Sequence, residues 1–328
     1  NQDLEKWTSC SEIRHVLETK DHVTICVESK ERTWELMIYP VVGGFRMVAG
    51  KKGFFDGKPE AFSMEESEHA YIIRSKEHEM ILKKETLEIS IDRKAITNLK
   101  NISFIFEKES VSASRIQFSI HENSAIYGFG ERFDSVNQYG KTVALWQRDA
   151  CEGCLASIGN QAYKNIPLVH TSDGFSFFAN TSYRMRMDVG DAVQDYLSVE
   201  ALGDVFDFYI WSGTPREAMT AYGTLTGLPI FPPEWVFEPW AGGGGGRWRN
   251  GPLQDIALEQ MAAMKKFHEL DIPHSGFYAE GAGATFYGEY KKEELYKVVS
   301  FGERHGFKVF SWQFPNMTQE LAQELLPE

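Results

Sequence analysis

The stretch from Leu225 to Trp240 (LTGLPIFPPEWVFEPW) divides the chain into two parts with different hydrophobic periods. It is expected to run from a helix end through a proline-rich link into a buried strand. Its four prolines lack a backbone N–H and fix φ, so regular structure is interrupted there. Upstream, from about Ile13 to Trp211, short apolar runs alternate with polar residues. Examples are 22–28, 33–39, 70–74 and 87–92, with Gly43-Gly44 and Asp56-Gly57 as turn signals. Many strands at roughly ten-residue spacing predict an all-β sandwich.

A helix closes this part. Thr214 is a good N-cap, Pro215 suits the first helical position, and Glu217 completes a capping box. Gly227 fits a left-handed position past the C-terminus, with Pro229 beyond it. The period then changes. Residues 235–240 are strand-like, whereas 253–270 carry Ile256, Leu258, Met261, Met264, Phe267 and Leu270 at helical spacing. A strand is expected over 275–280, a helix over 293–305 and a third strand over 307–314. Such alternation predicts a parallel α/β unit, whose three strands are too few to close an eight-stranded barrel.

Composition excludes several partners. A net charge of −13 over 328 residues argues against nucleic acid and against anionic membrane surfaces. No apolar run approaches the ~20 residues of a membrane span. The first residues show no basic region followed by an apolar one, so no signal peptide is visible and the cytoplasm is favoured. An aromatic content of 13% suits sugar stacking, although aromatic residues more commonly form core. Of four cysteines, Cys10 and Cys26 are expected to be able to pair across neighbouring strands. Cys151 and Cys154 have CxxC spacing, but no second pair follows to complete a zinc site, which leaves a loop staple or free thiols. No metal or cofactor is expected. Sequons at Asn101, Asn180 and Asn316 are near chance in number.

Candidate binding residues gather at predicted strand ends. Gly242 to Gly246 is followed by Arg247, Trp248 and Arg249; no GxGxxG turn or Lys-Ser/Thr pair marks a phosphate loop. A mobile loop at the C-terminal end of the first parallel strand is expected, where barrels place their active sites. There Arg247 and Trp248 line a substrate entrance or are simply surface residues. Trp240 is expected to end the first strand, Glu280 the second and Phe314 the third. Each has a plainer role: Trp240 as a barrel plug, Glu280 in a structural ion pair.

Six ordered segments carry a resemblance. They are 127–134 (YGFGERFD), 140–149 (GKTVALWQRD), 163–170 (YKNIPLVH), 172–180 (SDGFSFFAN), 207–215 (DFYIWSGTP) and 225–235. Together they resemble the family 31 glycoside hydrolases, which act on α-linked sugars. The resemblance implies a galactose-mutarotase-like β-sandwich with its linking helix over 1–228. The first three strands of a (β/α)8 barrel would follow over 229–328. It implies that Asp149 hydrogen-bonds sugar hydroxyls; Trp240, Glu280, Arg247, Trp248 and Phe314, from their places at strand ends and in the glycine-rich loop, are expected to touch the same α-linked oligosaccharide or glycoside. The family's two catalytic aspartates lie on the fourth and sixth barrel strands, so no catalytic residue is expected in this chain. The isolated chain is therefore expected to be inactive. Glu280 stands where the family usually has an Asp, and the pentaglycine segment with Arg247-Trp-Arg249 departs from the common glucosidase form. Both put simple α-glucose specificity in doubt and leave α-galactose, α-N-acetylgalactosamine, α-xylose or oligosaccharide transfer open. The alternative is a non-catalytic carbohydrate-binding sandwich. Oligomeric state is not legible.

Overall fold

The computed structural model describes residues 7–29, 32–108, 110–147, 162–242, 256–279 and 292–311. The chain forms two compact units, Asn1–Pro229 and Ile230–Glu328. Among the described residues, no helix is long and apolar enough to cross a membrane.

The 1–229 unit is built on two antiparallel sheets. In one, the strand order is Lys141–Leu145, Met185–Val189, Tyr196–Leu202, Ser110–Ser119, Lys94–Glu107, Glu88–Ile91, Glu79–Lys83, Ala70–Arg74 and Ser63–Glu66, with Thr8–Ser9 also paired to Lys94–Glu107. In the other it is Ile126–Gly130, Asn165–Thr171, Phe175–Ala179, Val205–Ser212, Gly44–Gly50, Thr33–Val41, Val23–Glu28 and Glu12–Glu18. Their inner faces share one core. Phe118 of the first sheet stacks on Phe177 of the second at 4.5 Å, and Phe206, Phe208 and Ile210 join them. Offset aromatic pairs of this kind add to the area they bury.

Val205–Ser212 is buried on both faces, which explains why its sequence is nearly all apolar. Its outer side chains Tyr209 and Trp211 are covered by helix α1, Pro215–Thr226, through Ala218 and Ala221. The capping box at Thr214 and Glu217 forms as the sequence predicts. Gly227 has positive φ (89°) but an extended ψ (153°), so it leaves the helix without adopting the left-handed helical conformation.

Cys10 and Cys26 are free thiols, contrary to the pairing the sequence allows. Cys26 stands opposite His15 and Glu35 in the ladder, so no cysteine faces it. Cys10 is buried, which pushes its thiol up to about 11. Cys151 and Cys154 lie outside the described residues. Asn180 is fully buried in hydrogen bonds to Phe55 and Asp207, so its sequon offers no accessible amide.

In the 230–328 unit, Trp240–Gly242, Gly276–Tyr278 and Lys308–Phe310 form a three-stranded parallel sheet in chain order. Helices α2 (Ile256–Glu269) and α3 (Lys292–Arg304) alternate with the strands. Ala241, Phe277 and Val309 pack with Ala257, Met264 and Val298 of the helices. Two expectations are corrected. Residues 235–240 are not a strand: Glu234–Phe237 is a 3-10 turn entered from Pro233, and Pro239 has no N–H for a ladder. Trp240 consequently opens the first strand rather than ending it. Leu258 of α2 and Leu270 just after it are exposed, and the buried stripe of α2 is Ala257, Gln260 and Met264.

Candidate functional site

Three segments of the 1–229 unit shape the site, each held by a different local device, and residues 165–167 and 181–183 complete its lining. The first is the loop after Gly44–Gly50. Arg46, 1% exposed, gives Nε to Asp207 Oδ1 (2.9 Å) and Nη2 to Asp207 Oδ2 (2.7 Å), and its Nη1 to Asp56. The backbone N–H of Gly53 also donates to Asp207 Oδ2 (2.7 Å), and Asn180 brackets Phe55 by donating to its carbonyl (2.8 Å) and accepting from its N–H (3.1 Å). Tyr209 donates its hydroxyl to Phe55 O at 3.0 Å and accepts the Gly57 N–H at 2.9 Å. Burial alone would depress the guanidinium, but the hydrogen-bonded Asp207 carboxylate overrides this and holds Arg46 above its ordinary range. Burial raises Tyr209 despite its bond from Gly57. This buried polar hub pins 53–57 on the sheet and leaves Phe54, 73% exposed, at the surface.

The second segment is Ile126–Gly130 with the residues after it. Gly128 (φ 114°), Phe129 (φ 67°) and Gly130 (φ 81°) are consecutive left-sided residues, a bulge in the pairing with Asn165–Thr171. A Cβ on Gly128 would stand 2.3 Å from Leu168 O, and one on Gly130 2.0 Å from Lys164 O. Glycine is required at both positions by the approach of the neighbouring strand. The bulge buries Phe129 and sends Arg132 beneath Asn165, where Nη2 donates to Phe129 O (3.0 Å) and Asn165 Oδ1 (2.5 Å). Nε and Nη1 of Arg132 are buried with no hydrogen-bond partner among the described residues, and burial lowers its pKa. Beyond it, burial pushes Asp134 up, but Lys141, Gln138 and the Ser135 backbone prevail and hold it at about 2.

The third segment is the end of Lys141–Leu145 with Trp146 and Gln147. Gln147 Oε1 accepts from the Asn165 backbone N–H (3.1 Å) and side-chain Nδ2 (2.9 Å), while Nδ2 also donates to Ala162 O (2.9 Å). Gln147 and Ala162, on either side of 148–161, are bridged directly as well. Phe54, Trp146, Gln147, Asn165, Thr181 and Tyr183 line a cleft of about 440 Å³. Trp146 is 54% exposed. Exposed aromatic faces beside amides and hydroxyls are the chemistry that holds a neutral polyhydroxylated ring.

Of the residues singled out from sequence, Asp149, Arg247, Trp248, Glu280 and Phe314 lie outside the described residues. Trp240 belongs to the 230–328 unit, 40% exposed, where its indole lies across Gly276 and against Trp235 (5.6 Å) and Phe310 (4.5 Å). Sequence reasoning missed Phe54, Gln147, Asn165 and Tyr183. The one available signal was that Gln147 and Asn165 fall inside two quoted segments. Among the described residues, no group of three or more His, Cys, Asp or Glu side chains is placed to hold a metal ion.

The fold matches that of the cycloalternan-forming enzyme from Listeria monocytogenes in complex with a pentasaccharide substrate. The TM-score is 0.76 at 18% identity, covering 96% of this chain and 33% of that one. Residues 22–188, just over half the chain, match the glycosyl hydrolase 31 N-terminal galactose mutarotase-like domain. The chain belongs to glycoside hydrolase family 31. Its sequence is 28% identical over 215 residues to the α-xylosidase XylQ of Lactiplantibacillus pentosus, covering 64% of this chain and 27% of that protein. It is 22% identical over 271 residues to α-glucosidase 2 of Bacillus thermoamyloliquefaciens, covering 79% and 30%. The chain thus spans less than a third of these two relatives.

Proposed function

We infer that this chain is the N-terminal part of a retaining enzyme acting on α-linked sugars, by hydrolysis or transglycosylation. The observation that carries the reading is the family 31 match over 22–188 in a chain that continues into alternating parallel strands and helices. The 230–328 unit is read as the start of a (β/α)8 barrel. Its sheet packs helices on the Ala241, Phe277 and Val309 face and carries the Trp240–Phe310 aromatic pair on the other, as a barrel wall would. The catalytic carboxylates are assigned to later strands. There one attacks the anomeric carbon and the other protonates the departing oxygen, ~5 Å apart in a retaining enzyme.

In this reading the residues of the chain bind rather than react. Asp149 lies two positions past Gln147 and accepts from sugar hydroxyls; Trp240, Arg247, Trp248, Glu280 and Phe314 are likewise read as substrate-binding residues. The test is steady-state kinetics of the full-length protein on p-nitrophenyl α-xyloside, α-glucoside and α-galactoside. Turnover of at least one is expected, and Asp149→Ala lowers kcat as well as raising KM. Unchanged kinetics in that variant would remove Asp149 from the site. Steady turnover by residues 1–328 alone would refute the assignment of the carboxylates to later strands.

A further inference from the structure

We propose that Gln147 is a ligand-facing hydrogen-bond donor of the cleft, held in that orientation by Arg132 acting through Asn165. The proposal rests on the reading above that the protein binds α-linked sugars. The contacts have a direction, set by the members that cannot be turned round: the Arg132 guanidinium, the Ala162 carbonyl and the Asn165 backbone N–H. An arginine side chain donates and never accepts, so the atom 2.5 Å from Arg132 Nη2 is the Asn165 amide oxygen. The Asn165 amide nitrogen then lies on the opposite side, donating to Ala162 O and to Gln147. The atom of Gln147 that receives it also receives the Asn165 backbone N–H, so it too is an oxygen. Reversing the Gln147 amide would set its NH2 against two donors, the Asn165 backbone N–H and one hydrogen of Nδ2, and remove the acceptor both of them use.

The consequence is that Gln147 Nε2, with two hydrogens, faces away from Asn165. Among the described residues nothing accepts from it, and Gln147 is exposed on the cleft wall beside Trp146. Trp146 offers an aromatic face and Gln147 a donor next to it. The pair suits a neutral sugar whose apolar ring face stacks while a ring or hydroxyl oxygen accepts from Nε2. Arg132 strengthens the arrangement because its bond to Asn165 is charge-assisted and desolvated, and its fixed acceptors among the described residues are Asn165 Oδ1 and Phe129 O. Arg132 and Asn165 are positioning residues; Gln147 makes the contact.

The test uses the full-length protein with p-nitrophenyl α-xyloside and α-glucoside. Gln147→Glu keeps an oxygen to accept both Asn165 donors and replaces the outward NH2 by an oxygen. KM is expected to rise about tenfold while kcat stays within about twofold, the signature of lost uniform binding. Thermal stability is expected to be unchanged. Asn165→Asp keeps the acceptor for Arg132 but sets a carboxylate oxygen against Gln147 Oε1 and Ala162 O, so Gln147 keeps only the backbone N–H of residue 165, loses its fixed orientation, and KM rises in the same direction. A wild-type KM in Gln147→Glu would overturn the contact. A wild-type KM in Asn165→Asp would overturn the orienting role of Arg132 and Asn165. Absence of turnover of either glycoside by the unmodified protein, in contrast to those two outcomes, would overturn the functional reading and the inference together.

Discussion

Asp207→Asn is the sharpest test of the packing argument. Asp207 is 1% exposed and its Oδ2 accepts from Arg46 Nη2, Gly53 N and Asn180 Nδ2, while Oδ1 accepts from Arg46 Nε. An asparagine keeps the volume and one oxygen, which takes the three-donor position. Its amide nitrogen then faces Arg46 Nε, donor against donor. One hydrogen bond to a charged group is lost, worth about 1.5–3 kcal/mol, and a buried guanidinium loses its buried counter-charge. Breaking a buried ion pair from one side costs about 3–5 kcal/mol in all. For a unit of this size that lowers the melting temperature by roughly 6–20 °C. Asp56→Asn supplies the control, since it removes the other carboxylate on the same guanidinium. The Asp56 side chain is 66% exposed, so solvent screening limits its loss to less than about 1 kcal/mol. Near-ultraviolet circular dichroism, which reports Trp211 and Tyr209, follows both variants. Equal shifts in Asp207→Asn and Asp56→Asn would refute the claim that burial decides the strength of this pair.

Two further outcomes are expected. Gly130→Ala places a Cβ against Lys164 O at a left-sided φ of 81°, so stability falls by at least about 2 kcal/mol, read as a lower urea midpoint at unchanged slope. His170, whose ring Nδ1 lies 2.9 Å from Ser176 Oγ, has its pKa lowered by burial. The unfolded chain therefore takes up a proton at higher pH than the folded one, so stability rises with pH between the lowered folded value and about 6.5. Melting curves across that window should flatten in His170→Gln, with His22, lowered in the same direction by burial, retaining its own share.

What was legible in the sequence was local. The short apolar strands at 23–28 and 70–74, the Thr214–Glu217 capping box and the change of period after Leu225 each depend on neighbours a few residues apart, and each appears in the structure. Where proline density and apolar content conflicted, over 235–240, proline prevailed and the expected strand became a turn. The resemblance of 127–134 was legible too, but its physical cause was not. Only the close approach of Leu168 O and Lys164 O shows why glycine stands at 128 and 130.

The site itself was decided by tertiary structure. Arg46 meets Asp207 across 161 positions, and that pair sets where Phe54 is presented. Phe54, Trp146 and Tyr183 reach one cleft from three separate segments. Gln147 and Asn165 share no periodicity, yet an arginine that can only donate, with the Ala162 carbonyl and the Asn165 backbone N–H, fixes which way both amides point. Sequence by itself determined the elements, because caps, pleats and turn residues act over one or two turns of chain. Which side chains share a cleft, and which of their atoms face it, was decided only by folding, because burial and hydrogen-bond direction belong to partners distant in the chain.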